Sequence, residues 1–207
     1  MQRSSSRWRD RAPTLAAVAL TALLSGPARA GETVLLLHGL ARDSSSMATL
    51  AERLESAGYA VANVDYPSTE GTPEELVGIV RAAYASCCAA ASRTHFVTHS
   101  LGGILTRMFI EQGRPANLGR VVMIAPPNRG SEIVDLLGPL GLFGRWFGPT
   151  ALALRTDASG LTQKLPPPSY EVGVIAGDWP VNPLGAAVIP GRDDGGVSVE
   201  GAKLECC

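Results

Sequence analysis

The chain has 207 residues, with 18 Lys and Arg against 19 Asp and Glu, and it is 45% hydrophobic and 18% charged. That balance excludes a disordered chain, and the length suits one domain with a sizeable core. The bases after residue 30 are scattered singly, which argues against a nucleic-acid footprint or a polybasic membrane anchor.

The first 30 residues differ from the rest. Five arginines (Arg3, Arg7, Arg9, Arg11, Arg29) stand against one acid, Asp10, and the apolar run Leu15 to Leu24 precedes the triplet Ala28-Arg29-Ala30. A basic stretch, a short apolar run and an A-x-A site read as an export signal, 1–30, directing the protein to the periplasm or outside the cell. The apolar run is about half of the roughly 20 residues that a membrane span requires, so no stable span is expected once the signal is removed. Removal leaves 177 residues, 31–207, with 13 bases and 18 acids and a formal charge of −5. These are read as a single domain.

From Thr33 the run TVLLLHG predicts a strand buried on both faces, as in a parallel sheet. Ser44-Ser45-Ser46 offers an N-cap to a helix ending at Ala57, with Gly58 at its C′ position. YAVANVDYP predicts a second strand, and Thr72-Pro73-Glu74-Glu75 opens a second helix with a cap, a proline at N1 and acids in the first turn. The strand RTHFVTHS, a helix from Leu101 to about Gly113, the strand RVVMIAPP and a strand within YEVGVIAG complete the alternation. Short connections between alternating strands and helices predict an α/β fold with a mostly parallel sheet and helices on both faces.

Two segments read ambiguously. Residues 126–169 are rich in Gly and Pro yet carry Leu136, Leu137, Leu140, Leu142, Phe143, Trp146, Phe147, Leu152 and Leu154. They form either a lid over an apolar substrate or an excursion that completes the core. Cysteines 87, 88, 206 and 207 allow three pairings. The 3–4 spacing of Leu76, Val80, Ala83, Tyr84 and Cys87 puts Cys87 on a buried helix face. Zinc is disfavoured because structural zinc sites space their cysteines two to four apart. No ligand cluster for a metal is apparent, and no cofactor is implied.

Ligands of such sheets gather at the carboxyl ends of the strands. There Thr98-His99-Ser100-Leu101-Gly102-Gly103 runs from a strand straight into an apolar helix. That is the setting of a nucleophile elbow, with a serine on a strained turn. Thr98 stands where G-x-S-x-G has its first glycine. At the end of the first strand, His38-Gly39-Leu40 can aim the amide of Leu40 into the same crevice. With the amide of Leu101 it makes two donors for a developing oxyanion.

On these motifs the chain resembles the α/β-hydrolase superfamily, particularly bacterial lipases and esterases, from about Thr33 to Leu204. Ala125-Pro126-Pro127-Asn128-Arg129-Gly130-Ser131 is similar to the P-x-N-x-G-S turn of that family, and Asp193-Asp194-Gly195-Gly196-Val197 to its D-G-x-V acid loop. The resemblance implies ester hydrolysis through an acyl-enzyme on Ser100, with a small-molecule or lipid ester as substrate. It gives the acid role to Asp194, with Asp193 second and Asp178, directly after the last strand, as rival. Asp-Gly is also a turn dipeptide in its own right.

The resemblance further implies a histidine after the acid, beyond one more helix and strand. Thirteen residues follow Asp194, and none is histidine. His38, His95 and His99 all precede it and read better as structural. The sequence is therefore read as an α/β-hydrolase cut short before its catalytic histidine, through a frameshift or early stop. The alternatives are a catalytically inactive remnant of the fold or a module that binds apolar ligands. Oligomeric state is not legible.

Overall fold

A computed structural model describes residues 31–204; the expected signal, residues 1–30, and Cys206 and Cys207 lie outside the described residues. Five strands form one sheet in the order β2-β1-β3-β4-β5, with every neighbouring pair parallel. They are β1 (Glu32–Leu37), β2 (Ala60–Val64), β3 (Arg93–His99), β4 (Leu118–Ile124) and β5 (Val172–Ile175). Helices α1 (Ala48–Ser56), α2 (Pro73–Cys87) and α3 (Leu101–Gln112) fill the crossovers. The α/β reading holds.

Strand β1 is central because its side chains are apolar on both sides. Leu35 and Leu37 join Phe96, Val121 and Met123 in the larger core beneath α2 and α3. Val34 and Leu36 face the other way, into a smaller core with Met47 and Ala51 at α1. Helix α3 is buried from Leu101 to Ile110, so its sequence is apolar nearly all round and lacks a polar stripe.

The ends of the helices follow the sequence with two corrections. Thr72 and Glu75 form a reciprocal capping box on α2 with Pro73 in its first turn, as expected. The cap falls to Asp43, at the head of the 3-10 turn that leads into α1, where its carboxylate accepts from Ser45 N at 2.9 Å. The three serines instead wind a 3-10 turn ahead of α1. An ionised carboxylate is a stronger acceptor than a hydroxyl, so Asp43 outcompetes its neighbours.

The expected burial of Cys87 is also corrected. Helix α2 ends at Cys87, which is exposed, and the non-helical backbone of Cys88 turns that residue into the core. The two adjacent cysteines are joined to each other as a disulfide.

The excursion after β4 packs part of itself on the body and leaves other apolar side chains exposed. It contains α4 (Glu132–Leu137) and α5 (Leu142–Leu152). Val134 and Leu154 enter the main core, while Leu136, Leu140, Leu142 and Trp146 remain exposed, the last at 70%. Its far end is held beyond β2. The Thr150 hydroxyl donates to Gly71 O at 2.9 Å, and a Cβ on Gly148 would lie 2.0 Å from Thr69 O. Because β1 and β3 lie between β2 and β4 in the sheet, the segment bridges their carboxyl ends. Two shorter helices, α6 (Pro183–Val188) and α7 (Val199–Ala202), flank the acid loop.

The start of α3 presses directly on β1. A Cβ at Gly102 would stand 2.7 Å from Leu37 O and 2.8 Å from His38 O, both of them backbone. Gly102→Ala should therefore lower unfolding free energy by about 3 kcal/mol, at the upper end of overpacking costs. The exposed Gly78, with open space around it in α2, is the control. Gly78→Ala should raise stability by roughly 0.5–1 kcal/mol through helix propensity. Urea denaturation of the two variants checks both signs.

Candidate active site

Three loops meet at the carboxyl edge of the sheet. Ser100 follows β3 with φ 50 and ψ −118, and backbone bonds pin it on either side: Ser100 N donates to Ile124 O at 2.8 Å and Gly103 N to Ser100 O at 2.9 Å. Non-glycine residues with positive φ cost of order 1–3 kcal/mol each and persist only where surroundings enforce them. The others among the described residues are Ala41 (φ 53) and Ala125 (φ 48), which follow β1 and β4 at the same edge. Strain is thus gathered around Ser100. Ser100 occupies the N-cap position of α3, yet its side chain makes no capping bond, and its hydroxyl has no hydrogen-bond partner among the described residues. A serine retained for capping would bond the amides of the first turn.

The loop His38-Gly39-Leu40 lies against this turn. A Cβ on Gly39 would meet His99 Nδ1 at 2.6 Å and Ser100 Cβ at 3.2 Å, so only glycine fits there. The amides of Leu40 and Leu101 donate to no acceptor among the described residues. The second is expected of a first helical residue, whose N–H has no partner within the helix. The helix dipole adds partial positive charge at the same point.

The three candidate acids differ in their surroundings. Asp178 is exposed and paired with Arg192. Asp194 is half-buried, and its Oδ1 accepts from Gly196 N and Val197 N at 2.8 Å each. Its Cβ would be 2.8 Å from a Cβ placed on Gly177, just past β5, which brings it to the edge of the sheet. Asp193, fully buried, turns its carboxylate back onto Gly195 N at 2.7 Å and serves the turn itself. The intervening stretch reaches Asp194 through Val181 N, which donates to Asp194 O at 3.2 Å.

None of the three histidines bonds the Ser100 hydroxyl. His38 is engaged at both ring nitrogens, with Gly39 O at 2.9 Å and Tyr66 N at 3.4 Å. His95 lies at the amino half of β3, where Arg120 N donates to its Nδ1 at 3.0 Å and Nε2 faces Glu32 at 3.2 Å. His99 packs its ring on Gly39 and lines a groove of about 560 Å³ with Arg42, Met47, Leu50, Arg53 and Ile124. Burial strips water from the His99 ring and pulls its pKa below 6.5, a shift that nearby Asp194 opposes and Arg42 and His38 reinforce.

The P-x-N-x-G-S turn proves to be an anchor. Asn128 Oδ1 accepts from Arg107 at 3.2 Å while its amide donates to Ala202 O at 2.8 Å. Arg107, buried in α3, also donates to the carbonyls of Leu165 and Pro166 at 3.3 and 3.2 Å, tying both ends of the excursion to the elbow helix. An arginine inside an apolar helix is the sequence signal that could have marked this role. Among the described residues no group of three or more histidine, cysteine or carboxylate side chains is gathered to hold a metal ion.

Residues 34–197 match the model of a family described as the alpha/beta hydrolase family. The mature form of the Bacillus licheniformis lipase BlEst2 superposes with a TM-score of 0.68 at 21% identity, over 87% of this chain and 81% of that one. Its propeptide form gives 0.67 at 22% identity, over 86% of this chain and 44% of that one. At such identities the likeness shows the fold. No curated protein matches the chain in sequence.

The lowered His99 pKa has a definite sign. The unfolded chain binds a proton near 6.5 that the folded chain resists, so His99 makes stability fall as pH drops below 6.5 and levels off once the folded ring also protonates. His99→Gln should flatten the thermal-stability profile in that window while leaving it unchanged at pH 8. An unaltered acid limb in that variant would contradict the assignment.

Proposed function

This chain belongs to the alpha/beta hydrolase family, matched over residues 34–197, and from that premise we propose a serine hydrolase of carboxylic esters, of the lipase or esterase type. One observation carries the proposal: the unbonded hydroxyl of Ser100 stands on a strained turn beside two amides, Leu40 and Leu101, that donate to nothing else among the described residues. Groups held in place and left unsatisfied fit a site that awaits developing charge.

The chemistry follows from those groups. Ser100 Oγ adds to the ester carbonyl carbon, the carbonyl π pair moves onto oxygen, and the two amides hold that oxyanion. Collapse expels the alcohol, which takes up a proton, and leaves an acyl-Ser100. Water then adds to the acyl carbon by the same path and releases the acid. Asp194 is the carboxylate that would orient and charge-balance a base. The exposed leucines and Trp146 of the excursion support an apolar acyl or lipid ester.

The serine proton needs a base, which typically supplies about 10²–10⁴ in rate. Since no histidine nitrogen among the described residues bonds Ser100, turnover by these residues alone is slow. The same observation favours a second reading, an inactive hydrolase fold that binds apolar ligands. Export by residues 1–30 completes the proposal, and the Cys87–Cys88 disulfide, typical of oxidising compartments, supports it.

A fluorophosphonate should modify Ser100 slowly and in one-to-one ratio, and Ser100→Ala should abolish the reaction. Added imidazole, entering as a base from solution, should raise ester hydrolysis at least about tenfold over the Ser100→Ala background. A chain inert to both reagents would favour the binding module.

A further inference from the structure

We propose that His38 is a positioning residue, clamped by Tyr66, that fixes the direction of the Leu40 amide. The inference rests on the reading of Leu40 as an oxyanion donor.

The glycine that the site requires creates the problem that His38 solves. Gly39 must lack a side chain because a Cβ there would run into His99 and Ser100. A residue without Cβ, however, leaves the following peptide free to rotate. In a trans peptide the carbonyl and the N–H are opposite ends of one rigid plane. The carbonyl of Gly39 and the N–H of Leu40 form one such plane, so whatever holds the first aims the second. His38 Nδ1 lies 2.9 Å from Gly39 O.

A carbonyl can only accept, so Nδ1 carries the hydrogen and Nε2 bears a lone pair. Tyr66 N donates to Nε2 at 3.4 Å, which agrees with that tautomer. Asp65, 3.6 Å from Nε2, is 68% exposed and already accepts from Ser44 N at 2.9 Å, so it does not impose the other one. Tyr66 completes the clamp. Its ring stacks on the imidazole at 4.0 Å with planes 12° apart, and its hydroxyl donates to the carbonyl of His38. His38 and Tyr66 are 0% and 4% exposed. Burial raises the Tyr66 pKa far above its ordinary value of 10, so the hydroxyl stays a donor. With the ring held on three sides, the plane it holds has one orientation.

The test compares the parent with His38→Leu, which removes the donor, and His38→Asn, which keeps an amide donor at the Nδ1 position. In the parent, ¹⁵N NMR at neutral pH should show a protonated Nδ1 and a bare Nε2; the opposite tautomer would overturn the proposal. The backbone order parameter of Leu40 should fall from about 0.85 to below about 0.6 in His38→Leu and recover in His38→Asn, with β1 and α3 unchanged. A Leu40 amide that stays rigid in His38→Leu would overturn it as well.

Imidazole-assisted ester hydrolysis then separates the inference from the reading beneath it. His38→Leu should lose about 30-fold in kcat at constant KM, part of what removing an oxyanion donor costs, and His38→Asn should regain most of it. Equal losses in both variants that track their melting temperatures would reduce His38 to a packing residue and refute the proposal. A parent that hydrolyses nothing, while Leu40 is held as described, would sink the hydrolase reading and leave the clamp standing.

Discussion

Everything at this site depends on how closely backbone meets backbone where α3 abuts the end of β1. Gly102 sits where any side chain would strike the carbonyls of Leu37 and His38, and Gly39 sits where any side chain would strike His99 and Ser100. Protein interiors are packed too tightly to absorb such overlaps. Two glycines, one on each element, therefore let the loop after β1 and the turn after β3 approach within van der Waals contact. Two amides and one hydroxyl without partners among the described residues are left together as a consequence.

The rest of the fold holds that contact in place. The parallel sheet puts β1 and β3 side by side, so their following loops are neighbours. Helix α3, buried from Leu101 to Ile110, cannot tilt without opening the core. Arg107 reaches from inside that helix to Asn128 and to Leu165 and Pro166, and Asn128 reaches on to Ala202. One buried guanidinium thus couples the elbow helix to the excursion and, through Asn128, to the segment after the acid loop. Charge-assisted bonds of this kind are worth roughly 1.5–3 kcal/mol each when buried. Three positive-φ residues at the crevice are strain that these ties offset.

Most of the fold was legible because its signals are local. Unbroken apolar strands, a capping box at Thr72 and Glu75 and a glycine after α1 each report on a few neighbouring residues. The turn at Ser100 was legible for the same reason. What escaped the sequence depends on competition or on distance. Asp43 and the three serines all could cap, and only their positions decide which does. Periodicity placed Cys87 inside, but the helix ended there and the disulfide to Cys88 set the outcome. The acid loop motif pointed to Asp194 over Asp178, but the partners of each, two amides for one and Arg192 for the other, follow from no spacing rule. The Arg107 network, His38 against Gly39, and the reach of the excursion to Gly71 join residues far apart in the chain or on facing backbones.

Acyl transfer at Ser100, as proposed, would leave a covalent trace on that residue. Peptide mass spectrometry after incubation with p-nitrophenyl acetate detects it. One acetyl group should appear on the peptide containing Ser100, be released slowly as hydrolysis proceeds and be absent in Ser100→Ala. A folded protein that gains no acetyl group there, or gains it only on lysines and the amino terminus, would contradict the proposal.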